Sequence, residues 1–160
     1  MIIRKSFKAE VAHRVAYAYT TRCQGVHGHS YVFEIFLEGQ TQDQAQMLMD
    51  FKKLKDRFNS FMDAFDHSLL VWDQDQPLVD MAPQLNDRYM ILPYNPTAEQ
   101  MSRHIYLQAK ALSFPVHKVI VHETKTGYAE FAGDDDLKID LSKVVYSPQI
   151  LAESKDLNAG

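Results

Sequence analysis

Two histidines separated by a single glycine are the most informative residues of this chain. In a β-strand, residues two apart project to the same face, so His27 and His29 could present both imidazoles to one ion. Such a pair alone is weak support for a metal site, but His13 ends an earlier segment on the parity of its apolar face. Three imidazoles with no cysteine among them suit a catalytic zinc, which keeps a position open for water or substrate. The pattern predicts a Zn²⁺ site.

The single cysteine lies four residues before the first histidine of the pair. Cys23 could be a fourth metal ligand, a thiol close to the ion, or a small buried apolar residue. Its neighbours Arg22, Gln24 and Gly25 favour an exposed loop over a core strand. A nearby cation would favour the thiolate, which can act as a base or a nucleophile.

Carboxylates form two further candidate sites. Asp66 precedes His67, and a carboxylate near an imidazole commonly orients it, although the spacing alone favours a histidine that complements a helix C-terminus. Glu123 shares the parity of Val119 and Val121, so its carboxylate would point to the apolar side of a strand and need a salt bridge or a ligand. The remaining histidines show no companion pattern and are interpreted as surface or structural: His104, His117 and His122.

These residues need strands and helices to position them. Alternating apolar and polar residues predict a strand from Phe7 to His13 and a second strand over residues 27–38, joined as an antiparallel pair by the loop that carries Cys23. A second pair is predicted over residues 117–124 and 128–132. A short strand near residues 141–146 could follow.

Two helices are predicted between the strand pairs. Asp50 is a good N-cap for a helix over residues 51–64, where apolar residues recur at steps of three and four. Thr97 and Gln100 form a capping box for a second helix, which should end near Leu112. Residues 72–96 hold prolines and many polar groups and are expected to be the longest irregular segment.

Size and composition limit the classes of protein to which the chain can belong. The chain has 160 residues, 46% of them hydrophobic and 24% charged, and a net charge of −4, which fits one globular domain. No cluster of lysine and arginine supports nucleic-acid binding. There is no long apolar run for a signal peptide or a membrane span, so we expect a cytosolic protein without a membrane partner.

In their order and spacing, these motifs resemble the 6-pyruvoyltetrahydropterin synthase and 6-carboxytetrahydropterin synthase family. The resemblance extends over residues 3–132 and leaves the longer segment 71–95 and the tail from Asp134 as additions. It rests on the following residues: Phe7-Lys8-Ala9, Ala12-His13-Arg14, Cys23, His27-Gly28-His29, Met49-Asp50-Phe51, Leu54-Lys55, Asp66-His67, Pro96-Thr97-Ala98-Glu99 and Glu123-Thr124.

The resemblance implies an α+β tunnelling fold, in which a four-stranded antiparallel sheet carries two helices on one face. Subunits of this fold join their sheets into a barrel, so it implies a homo-oligomer, a trimer or a hexamer of two stacked trimers. We expect residues 1–134 to form a single catalytic domain. Residues 135–160 would be a C-terminal extension whose last residues are mobile.

The resemblance also implies a role for each site residue. It makes His13, His27 and His29 the zinc ligands, Cys23 the catalytic thiol, and Asp66 with His67 the complementary acid or base. Glu123 would anchor the pterin ring through two parallel hydrogen bonds. Thr97 would line the pterin pocket, in many relatives from a neighbouring subunit.

The interval between the cysteine and the first histidine discriminates within the family. Three residues separate Cys23 from His27, which resembles the bacterial 6-carboxy enzymes of queuosine biosynthesis. These convert dihydroneopterin triphosphate to 6-carboxytetrahydropterin with release of acetaldehyde and triphosphate. Two alternatives use the same scaffold, namely synthesis of 6-pyruvoyltetrahydropterin and side-chain cleavage of dihydroneopterin. A third is a zinc and pterin binding module without catalysis.

Overall fold

A long antiparallel strand pair organises the fold. The structure is a computed structural model that describes residues 1–40, 44–154 and 157. Strand β1 (Ile2–His13) pairs with β2 (His27–Glu38), and the register sets His13 opposite His27 and Val11 opposite His29. The predicted antiparallel pair is confirmed, with the predicted bounds for β2 and an earlier start for β1.

One mixed sheet runs through the molecule. Strand β5 (Val116–His122) pairs antiparallel with β2, and β6 (Tyr128–Phe131) pairs antiparallel with β5, as predicted. In the described residues the sheet has seven strands, in the order β6-β5-β2-β1-β3-β4-β7. The α+β class is therefore confirmed, whereas the expectation of four strands was wrong.

Two helices cover the face of the sheet that carries the histidines. Helix α2 (Phe51–Asp63) begins after Asp50, whose carboxylate accepts a hydrogen bond from the Lys52 amide at 2.7 Å. Helix α4 (Ala98–Ala111) begins after Thr97, whose hydroxyl accepts from the Gln100 amide. Both predicted N-cap residues are confirmed, but the capping box is only half formed, since the Thr97 amide donates to the Asn95 carbonyl and not to the Gln100 side chain. Their apolar faces pack on the inward side chains of the central strands and form the main core.

The segment predicted to be irregular is instead structured. It contains the end of β3 (Ser68–Trp72), helix α3 (Gln76–Leu85) and β4 (Tyr89–Leu92). Strand β3 pairs parallel with β1, and β4 pairs parallel with β3. Pro77 lies in the first turn of α3, where its missing N–H costs no helical hydrogen bond, and Pro83 lies near the end of the helix. Helix α3 packs on the opposite face of the sheet, against Leu69 and Val71, so the helices do not all share one face.

The C-terminal residues pack on the core. A 3₁₀ helix (Leu141–Lys143), strand β7 (Val145–Tyr146) and helix α5 (Pro148–Glu153) follow β6, and β7 agrees with the predicted short strand. Ile150 is buried in the main core. The predicted division into a catalytic domain that ends at residue 134 and a C-terminal extension stays a prediction. The expected mobility of the last residues concerns positions outside the described residues. None of the described helices combines the length and apolar character that a membrane span requires.

A further short helical turn interrupts the connection between β1 and β2. Helix α1 (Thr21–Gln24) carries Cys23 within the segment predicted to be a loop. The connection thus begins at His13 and ends at His27, two residues that face each other across the strand pair. This arrangement places the cysteine at the same end of the sheet as the histidines.

A buried histidine in the core makes the stability dependent on pH. His104 is fully buried, its Nδ1 lies 2.5 Å from the Tyr94 hydroxyl oxygen, and its Nε2 has no hydrogen-bond partner among the described residues. Burial lowers the pKa of His104 to about 3. Below the usual histidine pKa the unfolded chain therefore binds a proton that the folded chain excludes, so this contribution to stability is present at neutral pH and is lost as the pH falls.

We expect His104→Phe to flatten the dependence of unfolding free energy on pH between about 6.5 and 4. The difference in slope between the wild type and the variant should approach about 1.4 kcal/mol per pH unit. Urea unfolding of both proteins in the presence of a chelator measures it without a contribution from bound metal. Equal slopes in the two proteins would contradict the prediction.

Candidate metal centre and active site

Three imidazoles meet at one end of the central strand pair. His13, His27 and His29 each offer a nitrogen, and these nitrogens all lie within 4.8 Å of one another. The ring centroids of His13 and His27 are 4.6 Å apart, and those of His27 and His29 are 4.9 Å apart. The strand register produces this convergence, because His27 and His29 share a face and His13 lies directly across from His27.

Backbone carbonyls orient two of these rings. The Nδ1 of His13 donates to the Pro96 carbonyl at 2.7 Å, and the Nδ1 of His27 donates to the Gly25 carbonyl at 2.8 Å. With Nδ1 carrying the proton, each ring directs the lone pair of Nε2 away from its carbonyl partner. This is the usual arrangement by which an outer-shell partner sets the tautomer of a metal ligand.

His13, the most buried of the three rings, indicates whether a metal ion fits this group of histidines. His13 is fully buried, and its Nε2 has no hydrogen-bond partner among the described residues. A buried nitrogen without a partner costs free energy unless something binds it. Burial also lowers the pKa of His13, although its hydrogen bond to Pro96 opposes this effect, and a neutral imidazole is the form that binds metal. The three histidines therefore form a group that can hold a metal ion.

Glu123 follows β5 directly and lies beside this cluster. Its Oε1 accepts a hydrogen bond from the Tyr31 hydroxyl at 3.0 Å and lies 3.6 Å from the Nε2 of His13 and 3.9 Å from that of His29. Burial and the adjacent carboxylate both raise the pKa of Tyr31, so its hydroxyl stays protonated and donates. Glu123 was expected to need a salt bridge or a ligand; its hydrogen-bond partner in the structure is a tyrosine hydroxyl, and the carboxylate remains partly exposed.

One cavity brings several predicted site residues together. Its volume is about 970 Å³, and Cys23, His27, His29, Thr97 and Glu123 all line it. The Thr20 hydroxyl donates to the Cys23 sulfur at 3.1 Å, and the thiol is partly buried. Cys23 lies outside the group of converging ligand atoms, which favours a thiol near the ion over a fourth ligand. Thr97 lines the cavity of its own chain.

Asp66 and His67 lie elsewhere. The Asp66 carboxylate accepts from the Glu10 amide at 2.8 Å, and its other oxygen is 3.9 Å from the Nε2 of His67, too far for a hydrogen bond. His67 has a left-handed backbone (φ 53°), and 75% of its side chain is exposed. It lines a second cavity of about 870 Å³, between the sheet and α3. Within one chain the predicted pair therefore does not share the cavity of Cys23.

Sequence reasoning missed the groups that orient the site. Tyr31 was detectable, because it shares the strand parity of His27 and His29. The carbonyl of Pro96 and the side chain of Asn95 gave no signal, since their partners His13 and Ala16 are remote in sequence. Of the three histidines interpreted as surface or structural, His117 and His122 contact Glu38 and Glu34 respectively, and His104 is buried in the core.

Comparison with known proteins decides the family. The sequence model of the family described as 6-pyruvoyl tetrahydropterin synthase matches residues 2–134. The chain belongs to this family. That membership, together with the synthase names of its relatives, identifies the chain as an enzyme of the lyase class.

Several relatives carry the name 6-carboxy-5,6,7,8-tetrahydropterin synthase. One from Helicobacter pylori (strain J99) is 33% identical over 143 residues, with 81% of this chain and 72% of the relative covered. Another from Aquifex aeolicus is 29% identical over 156 residues, with 81% of this chain and 96% of the relative covered. The resemblance inferred from the motifs is thereby confirmed.

Solved structures share the fold. An uncharacterized protein of Wolinella succinogenes superimposes with a TM-score of 0.71 at 18% identity, covering 84% of this chain and 98% of that one. The 6-pyruvoyl tetrahydropterin synthase of Caenorhabditis elegans gives 0.64 at 19% identity, covering 83% and 95%. At these identities the similarity establishes the fold.

Proposed function

We propose that this enzyme is a zinc-dependent 6-carboxytetrahydropterin synthase. It would convert 7,8-dihydroneopterin triphosphate and one molecule of water to 6-carboxy-5,6,7,8-tetrahydropterin, acetaldehyde and triphosphate, in the cytoplasm, as a step of queuosine biosynthesis. The observation that carries the proposal is one cavity lined by Cys23, Glu123 and two of the three converging histidines, His27 and His29. The names of its relatives and the spacing from Cys23 to His27 favour the carboxy product over the pyruvoyl product.

His13, His27 and His29 would hold the zinc ion. Three neutral imidazoles leave a coordination position open, as catalytic zinc sites require. Bound there, Zn²⁺ supplies a Lewis acid that acidifies the hydroxyls of the substrate side chain.

Proton transfer would fall to groups of the protein. Cys23, as a thiolate, would take a proton from the substrate side chain, and the Thr20 hydroxyl that donates to its sulfur stabilises that charged form. His67, held near the carboxylate of Asp66, would serve as the complementary acid or base. Since His67 lines a different cavity in the single chain, we propose that a second copy of the chain supplies it.

The sheet leaves room for such assembly. Among the described residues, β3 pairs with β1 only over Val11–His13, so the outer edge of β1 over residues 2–10 has no neighbouring strand. Strand β6 forms one end of the seven-stranded sheet, so among the described residues its outer edge has no neighbouring strand either. Open edges are stabilised by pairing with another strand, and pairing of these two edges between copies would build the barrel of a trimer or hexamer.

Glu123 would anchor the pterin ring. A carboxylate can accept two parallel hydrogen bonds from the 2-amino group and the adjacent ring nitrogen, which selects both the ring and its orientation. Thr97, in the same cavity, would contact the ring from the start of α4.

We expect Glu123→Gln to weaken pterin binding roughly 100-fold, because the amide replaces one acceptor oxygen with a donor while an oxygen remains for Tyr31. Fluorescence titration with a dihydropterin measures the dissociation constant. Glu99→Gln is the matched control, since Glu99 is an exposed carboxylate that lines the same cavity. Equal weakening by both substitutions would contradict the anchoring role.

The reaction itself is tested with purified, zinc-loaded protein and dihydroneopterin triphosphate. The proposal predicts stoichiometric acetaldehyde and a product with the mass of 6-carboxytetrahydropterin. A 6-pyruvoyl product without acetaldehyde would assign the pyruvoyl activity instead. Cleavage of the side chain of unphosphorylated dihydroneopterin, supplied in a parallel assay, would assign the side-chain cleavage.

A further inference from the structure

The connection between β1 and β2 must hold the reactive thiol in place. Residues 14–26 join His13 to His27 and carry Cys23 partway along. A connection of this length samples many conformations unless other parts of the protein restrain it. One restraint is internal, since the Val15 amide donates to the Cys23 carbonyl at 2.8 Å. A contact that fixes the backbone near Val15 therefore also restrains the backbone of Cys23.

Asn95 restrains the next residue of the connection from outside. Its Oδ1 accepts from the Ala16 amide at 3.2 Å, and its Nδ2 donates to the Ala16 carbonyl at 2.6 Å. One planar side-chain amide thus binds both polar backbone groups of Ala16. Two such hydrogen bonds define the orientation of the bound backbone as well as its position.

The residues next to Asn95 belong to the metal side of the site. The Pro96 carbonyl accepts from the Nδ1 of His13, and Thr97 lines the cavity shared with Cys23. A single short segment between β4 and α4 therefore contacts both the ring that would bind metal and the backbone that holds the thiol. The position of this segment therefore links the position of the ring to that of the backbone near Cys23.

We propose that Asn95 is a positioning residue that places Cys23 relative to the histidine cluster by holding Ala16. It acts through Ala16 and Val15 and does not itself move a proton. The consequence for turnover rests on the proposed function, whereas the consequence for the thiol does not.

The test is Asn95→Ala in the full-length, metal-loaded protein. Cys23 is the only cysteine of the chain, so its alkylation by iodoacetamide reports on that thiol alone. We expect alkylation to become at least about threefold faster as the connection is released, and kcat to fall roughly 10- to 100-fold. KM for the pterin and the metal content should stay within about twofold, because Glu123 and the three histidines are unchanged.

Asn86→Ala is the matched control. The Asn86 side chain also binds two backbone groups, the carbonyls of His67 and Arg88, at 3.0 and 2.5 Å. Within its own chain it lies away from the connection that carries Cys23, so the alkylation rate should not change. Only the alkylation rate is compared for this variant, because Asn86 also holds the backbone of His67. Asn95→Asp is the second variant, since it keeps the acceptor for the Ala16 amide but loses the donor to the Ala16 carbonyl, and we expect an intermediate alkylation rate.

Wild-type alkylation rates in both Asn95 variants would overturn the positioning role. Loss of folded protein in both variants would overturn it too, because Asn95 would then stabilise the whole fold. If the wild type does not convert the pterin but the Asn95 variants alkylate faster, the proposed function fails and the positioning role stands. If the wild type is active and only the Asn95 effects are missing, the positioning role fails alone.

Discussion

His13→Ala is expected to lower the affinity for Zn²⁺ by roughly three orders of magnitude and to remove measurable turnover. The reason is geometric, because His13 supplies one of three converging nitrogens and is the ring held in place by the Pro96 carbonyl. The two remaining imidazoles lie two residues apart on the same face of one strand and cannot surround an ion from both strands. Metal analysis after dialysis and an acetaldehyde assay measure the two effects.

Folding has to be separated from metal loss. Removing a fully buried ring leaves a cavity that costs about 2–4 kcal/mol, so His27→Ala serves as a second variant at a partly exposed position. His117→Ala is the control, because His117 lies on β5 outside the cluster and should keep both metal and turnover. Retention of stoichiometric metal by folded His13→Ala protein would rule out the proposed centre.

Cys23→Ala is expected to reduce kcat about 1,000-fold while the metal content stays at the wild-type level. Cys23 lines the cavity but lies outside the group of converging ligand atoms, so its replacement should remove the proposed proton acceptor and leave the three histidines in place. Metal analysis and turnover should therefore respond differently. Unchanged turnover would favour a zinc and pterin binding module without catalysis.

The same variant tests where His67 acts. If one subunit supplies Cys23 and a neighbour supplies His67, inactive Cys23→Ala and His67→Ala proteins should recover activity when unfolded and refolded together. Random assortment would restore about a quarter of the sites. No recovery, with mixed oligomers demonstrated by mass, would place both groups in one chain.

Strands and helices with a single buried face were predictable. In strand β2 the more buried side chains recur at every second residue, and the two main helices begin directly after the predicted N-cap residues Asp50 and Thr97. Strand β3 was missed because α3 covers one of its faces and the main core covers the other, so it shows a continuous apolar run instead of alternation. Helix α3 was missed because its prolines read as breakers, although Pro77 occupies a position that tolerates one.

The amino-acid sequence by itself determined which residues can bind metal and on which strand face they lie, because period-two alternation is a local property of neighbouring residues. Only the tertiary structure decided that a carbonyl 83 positions away orients His13, that Asn95 holds the backbone beside Cys23, and that His67 lies in a different cavity. These relations depend on how distant segments pack against one sheet. No pattern among neighbouring residues encodes such packing.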